Sequence, residues 1–251
     1  MPASGLLIWS PLVVAPFVGS SLVVAVNQQC ANGSFANLAC SSCGRPVQLL
    51  GFVSLPGSTA TRPRCADCPD ANGWFRLAGI VAASSVAVWS ILASQTLQSA
   101  WLDAALGWTL LTLAWIDASC FLLPDVLTLP LVLAGLGVTL VTVPDAAFGH
   151  ALGAAAGYLA LRGTALAYRT LRRREGLGGG DAKLFSAAGA WLGVGALPPL
   201  ILIAATTALA CACVAAIAGR SLRATTAIPF GPFIAAAFWL LWLYGPALRL
   251  T

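Results

Sequence analysis

Charge is scarce in this sequence: only 8% of its 251 residues are Asp, Glu, Lys or Arg, against about a quarter in soluble domains. So few charges cannot cover a water-exposed surface when 59% of the residues are hydrophobic, and the chain reads as an integral membrane protein. Histidine is scarcer still, with His150 alone in a short link between apolar runs. Serine and cysteine nucleophiles need a base beside them, so a single interfacial histidine makes either chemistry a poor fit. Basic residues are missing from Met1 to Leu6, and Ala25-Val26-Asn27 is not a small-x-small site. The first apolar run is therefore expected to stay in place as a helix. The formal net charge of +5 sits between apolar runs, not on a polar surface interleaved with aromatics. That distribution argues against a nucleic-acid partner.

What is present is a series of apolar runs, each close to the length of about twenty residues that crosses a bilayer. They fall at Leu6–Val26, Phe75–Leu97, Ala100–Ile116, Val126–Val143 and Ala147–Tyr168, followed by two helices within Lys183–Ala218 and a last one at Pro229–Leu248. Lys183–Ala218 is too long for one span and is broken at Gly193-Val194-Gly195 and Pro198-Pro199. Pro229 suits a first turn, where its missing N–H is not needed. The expected fold is all-α, with about eight transmembrane helices. Residues 1–26 form the first helix, 27–74 a small Cys-rich extramembrane module, and 75–251 a seven-helix domain.

Basic residues set the expected orientation. On this scheme twelve of the thirteen Lys and Arg residues flank loops on one face, including Arg45, Arg62, Arg64 and Arg76 in or beside the first loop and Arg172-Arg173-Arg174 after helix five. Positive residues stay inside, so both termini are expected outside and the large loops in the cytoplasm. Arg172-Arg173-Arg174 is read as a topogenic anchor rather than a site for acidic lipid.

Gly176-Leu177-Gly178-Gly179-Gly180-Asp181-Ala182-Lys183 delivers a lone carboxylate to the start of an apolar segment. Its four glycines remove Cβ atoms where the backbone turns sharply or another chain approaches. Asp181 alone could be a helix cap. A second carboxylate, Asp117, lies within the apolar Leu113-Ala114-Trp115-Ile116-Asp117-Ala118, and ionisable groups inside membrane segments are costly and usually functional. Both are expected at cytoplasmic helix ends. Two carboxylates at one depth in a low dielectric share protons unequally, which makes an acid and base pair able to activate water against a peptide carbonyl. Asp125, after Leu123-Pro124, competes for the first role but reads as the cap of the next helix. Asp103 and Asp145 fall on the opposite face.

These residues carry a resemblance to the prepilin peptidase, or type IV leader peptidase, family of membrane aspartic proteases. Trp115-Ile116-Asp117 with Leu122-Leu123-Pro124-Asp125-Val126-Leu127-Thr128-Leu129-Pro130-Leu131 is similar to the family's first aspartate motif. Arg174 to Leu184 resembles its glycine-any-glycine-aspartate signature, continued by Gly189-Ala190-Trp191-Leu192-Gly193, and Ile228 to Phe233 resembles its final-helix motif. The resemblance implies Asp117 and Asp181 as the catalytic pair, with Gly178, Gly180 and Lys183 supporting the loop. It also implies prepilin or pseudopilin precursors as substrates and a bacterial inner-membrane location with the active site facing the cytoplasm.

Cys40-Ser41-Ser42-Cys43 and Cys65-Ala66-Asp67-Cys68 are two hooks of the spacing that places four thiolates on one tetrahedral zinc. A reducing cytoplasm disfavours the alternative of two disulfides. Cys30 is a further ligand candidate, whereas Cys120, Cys211 and Cys213 read as small packing residues. The family's larger members carry the same hooks. The resemblance further implies N-methylation of the cleaved product with S-adenosylmethionine. Gly19 to Gln28 and Val47 to Phe52 depart from the family pattern, so transfer is expected to be weak or absent. Two other classes remain open on the residues alone: a proton or ion transporter relaying through the aspartates, and a zinc-dependent membrane scaffold.

Overall fold

A computed structural model of the protein describes residues 9–32, 73–172, 178–218 and 229–248. Among the described residues there are eight α-helices: α1 (Ser10–Asn32), α2 (Gly73–Ala93), α3 (Leu97–Cys120), α4 (Asp125–Thr142), α5 (Ala147–Arg172), α6 (Gly179–Leu192), α7 (Leu197–Ile217) and α8 (Gly231–Leu248). Four of them, α2, α3, α4 and α7, are long and apolar enough to cross a membrane, and α1 and α8 are apolar over shorter stretches. α5 has the length but is rich in Gly, Ala and Arg. With 14 residues, α6 reaches only about 21 Å. The protein is an all-α, multi-pass membrane protein. Cys40, Cys43, Cys65 and Cys68 lie outside the described residues.

Several helix ends differ from the sequence expectation, each for a local reason. α2 stops at Ala93, short of Leu97, because Thr96 and Ser99 begin α3 as a reciprocal cap: the Ser99 N–H donates to Thr96 Oγ1 at 3.1 Å and the Thr96 N–H to Ser99 Oγ at 3.2 Å. α8 starts at Gly231, so Pro229 lies ahead of the helix and Pro232 occupies the first turn. The break after α6 falls where the glycines and prolines place it. Gly193 has φ 79°, a conformation that L side chains rarely adopt, and its N–H closes the helix on the Gly189 carbonyl at 2.9 Å. A single 3₁₀ turn then leads to Pro198 and Pro199 in the first turn of α7.

The chain divides into two compact units between Ser119 and Cys120. In the first, α1 and α2 cross at glycines: a Cβ on Gly19 would lie 2.4 Å from the Gly79 carbonyl oxygen. Small residues let the backbones approach, as membrane helix pairs require. Trp108 closes this core over Ala83 and Ala87, its Nε1 donating to the Ala83 carbonyl at 3.0 Å.

The second unit is built around α6. Every residue from Asp181 to Trp191 except Lys183 is buried, the signature of a helix surrounded by others. α5 lies against it through Gly153 and Gly157, spaced four apart on one face. A Cβ on Gly189 would sit 2.2 Å from the Gly153 oxygen, and Ser186 Oγ donates to the Ala154 carbonyl at 2.9 Å. On another side Trp191 covers Gly135 of α4, donates to the Leu131 carbonyl at 2.8 Å and meets Trp242 of α8 edge to face.

Candidate active site

On α3, Leu113, Ile116 and Asp117 share one stripe at i, i+3 and i+4. The two apolar members are fully buried and carry Asp117, 6% exposed, onto the same inner face one turn before the helix ends. On α6, the extended Gly178 (φ −66°, ψ 140°) is the N-cap and Asp181 is the third helical residue, 6% exposed beside Ala182 and Leu184. The carboxylate is thus inside the first turn, not at the cap position itself. Ionisable groups buried in membrane segments are costly and usually functional.

Glycine is needed unequally in this turn. A Cβ on Gly180 would come within 2.6 Å of the Leu123 Cβ, whereas one on Gly178 would first meet Asp181 Oδ2, at 3.4 Å. Gly178 has a backbone conformation open to any residue, so what a side chain there would disturb is the approach to Asp181.

Asp125 does not cap α4. Pro124 holds the N-cap position and no side chain caps the helix. The Asp125 carboxylate instead pairs with Lys183 of α6, because the first turns of both helices lie side by side within the second unit. Nothing in either local sequence announces a partner 58 positions away. Asp103 is also buried, at 8%, and accepts from Ser94 Oγ at 2.5 Å, a bond that ties the α2–α3 turn to α3.

His150 proves to be more than an interfacial residue. It lies within α5, where its Nδ1–H donates to the Ala190 carbonyl at 2.9 Å, with Thr139 Oγ1 at 3.2 Å. Ala190 is in the last turn of α6, so the imidazole satisfies a carbonyl that the helix leaves open. The cysteine readings change as well: Cys211 and Cys213 are exposed on α7 rather than packed inside. Cys30 and Cys120 are each disulfide-bonded, so neither is a free thiolate. Among the described residues no group of three or more His, Cys, Asp or Glu side chains could hold a metal.

Most of the chain has recognisable relatives, and the family match falls on the region from α3 to α7. Residues 104–213 match the type IV leader peptidase family, a span that contains Asp117 and Asp181. A protein of Aeromonas salmonicida named prepilin leader peptidase/N-methyltransferase is 35% identical over 217 residues, covering 83% of this chain and 72% of that one. The protein of the same name from Aeromonas hydrophila is 36% identical over 218 residues with the same coverage. That of Pseudomonas aeruginosa is 33% identical over 231 residues, covering 86% of this chain and 74% of its own. No solved structure matches significantly. With Asp117 and Asp181 inside the family span and relatives aligned over most of their length, the chain is an enzyme belonging to the type IV leader peptidase family.

Proposed function

We propose that the protein is an aspartic endopeptidase of the bacterial inner membrane that removes the leader from prepilin or pseudopilin precursors at the cytoplasmic face. One observation carries the assignment of the pair. Asp103, Asp117 and Asp181 are buried among the described residues, and of these Asp117 and Asp181 stand in the two segments that resemble the family's aspartate motifs. Asp103, which accepts from Ser94 Oγ, stands in neither motif. In the mechanism proposed, the ionised member of the pair takes a proton from water while the protonated member polarises the scissile carbonyl and later protonates the leaving amine.

The names of the relatives support a second step on the new N terminus, methyl transfer with S-adenosylmethionine as donor. Substitutions in 19–28 and 47–52 make it slow in this chain. One measurement addresses both steps: a membrane-inserted prepilin is incubated with the protein and S-adenosylmethionine, and the mature terminus is weighed. A shortened chain with a minor methylated fraction is expected. An intact substrate would leave the transporter or scaffold in place of the peptidase, and stoichiometric methylation would show that the substituted residues are not the ones the transfer needs.

With the eight helices taken as crossings, the basic-residue asymmetry puts both termini outside. A reporter cysteine at Ser58 is expected to react from the cytoplasm and one at Pro144 from the periplasm. Labelling of Ser58 from outside would reverse the assigned face of both aspartates.

Cys40, Cys43, Cys65 and Cys68 are proposed to hold one structural zinc in a module of residues 27–74. Freshly purified protein should contain about one zinc per chain, lost in Cys40→Ser or Cys65→Ser, with stability declining before hydrolysis because the catalytic pair lies elsewhere. Elemental analysis that finds no zinc would remove the module's metal.

A further inference from the structure

The first turn of α6 is fastened at two points to the start of α4, at Leu123 just ahead of the helix and at Asp125, its first residue, and the two points share a face of α6. Gly180 meets Leu123, which is 8% exposed, so closely that no Cβ fits between them. Lys183, three residues on and therefore on the same side of the helix, pairs with Asp125. Asp181 lies about 100° round the axis from Gly180, on a different side from either attachment. Rotation of this turn is thus the motion the two contacts resist. Its consequence falls on Asp181: a carboxylate about 5–6 Å from a helix axis moves about 1 Å for each 10° of rotation.

We propose that the Asp125–Lys183 ion pair is a positioning device that sets the rotation of the first turn of α6, and through it the aim of the Asp181 carboxylate. It rests on Asp181 being catalytic, as proposed above. The ion pair is poorly suited to holding the fold together. The Lys183 and Asp125 side chains are 30% and 56% exposed, and pairs so open to solvent contribute little to stability. Leu123 over Gly180 fixes where the turn lies. The ion pair adds direction, because a second attachment on the same face converts a pivot into a fixed orientation.

The test uses the full chain in detergent, a membrane-inserted prepilin as substrate and steady-state kinetics beside thermal midpoints. Asp125→Asn and Lys183→Gln should each lower kcat by about 10- to 100-fold, since misplacing a reacting group by about 1 Å has an effect of that order. KM and the thermal midpoint should stay at wild-type values. Lys183→Arg, which keeps the charge, should retain most of kcat. The double variant should be no slower than the slower single one, and exchanging the charges (Asp125→Lys with Lys183→Asp) should recover activity over either reversal alone. Single variants with wild-type kcat, losses that multiply in the double variant, a change confined to KM, or a midpoint falling in step with kcat would each overturn the positioning role. Asp181→Asn is run alongside. If it still turns over substrate, the peptidase reading itself fails; if it is inactive while the pair variants match wild type, only the positioning role does.

Discussion

Asp117→Asn and Asp181→Asn are each expected to abolish prepilin cleavage, with losses of about 10³-fold or more, and the double variant to be no worse than either single one. Members of an acid and base pair act as a unit, so removing one leaves nothing for the other to work with. Each side chain is buried, and Asn keeps its volume, so folded protein should accumulate and the loss be one of chemistry. Asp103→Asn is the matched control. It is similarly buried, its Ser94 partner can bond an amide oxygen, and it stands in neither aspartate motif. Cleavage should survive there. Activity against pH should show two limits that belong to the pair and not to either residue. Substantial turnover by Asp117→Ala, with Asp125→Ala inactive instead, would mean that the first carboxylate is Asp125. Turnover by Asp181→Ala would remove the aspartic mechanism.

The second large effect is expected from glycines, and its sign depends on the neighbour. Gly189→Ala places a methyl 2.2 Å from the Gly153 oxygen and 2.4 Å from its carbonyl carbon, backbone atoms that cannot swing aside. α5 must move off α6 or the helix must bend, at a cost of about 3 kcal/mol or more. A markedly lower thermal midpoint, or no folded protein, should result. Gly180→Val should do likewise against Leu123, and even a folded fraction should be inactive because Asp181 is the next residue. Gly137→Ala is the opposite case. It too is a helical glycine, but nothing lies within 4 Å of the added methyl, so helix propensity decides and the midpoint should hold or rise by the equivalent of about 0.5–1 kcal/mol. Equal midpoints for Gly189→Ala and Gly137→Ala would mean that the α5–α6 crossing is looser than described.

The residues of the proposed site and the helix breaks around them are legible in the sequence because their signals are local. Asp117 and Asp181 stand out as carboxylates in apolar surroundings, and the glycine run before Asp181 marks a turn. Gly193 and the Pro198-Pro199 pair end one helix and begin the next through their own backbone restrictions, whatever surrounds them. Other residues could not be read this way. Asp125 looks like a helix cap in its own sequence, since an acidic residue before an apolar run commonly serves as one, and only α6 lying alongside supplies the Lys183 ammonium. His150 looks like an interfacial residue until the open Ala190 carbonyl is brought within 2.9 Å of it. The four-residue spacing of Gly149, Gly153 and Gly157 is a visible sign of a close helix contact, but it names no partner and does not separate Gly149, which has nothing within 4 Å, from Gly153.

The sequence by itself determined the membrane setting, the helix breaks and the family, because composition, backbone chemistry and short motifs act over a few residues at a time. Which glycines lie against a neighbouring helix, that Asp125 pairs with Lys183, and what the first turn of α6 touches were decided only by the tertiary structure. These depend on distances between segments tens of residues apart, and such distances exist only once the helices have packed.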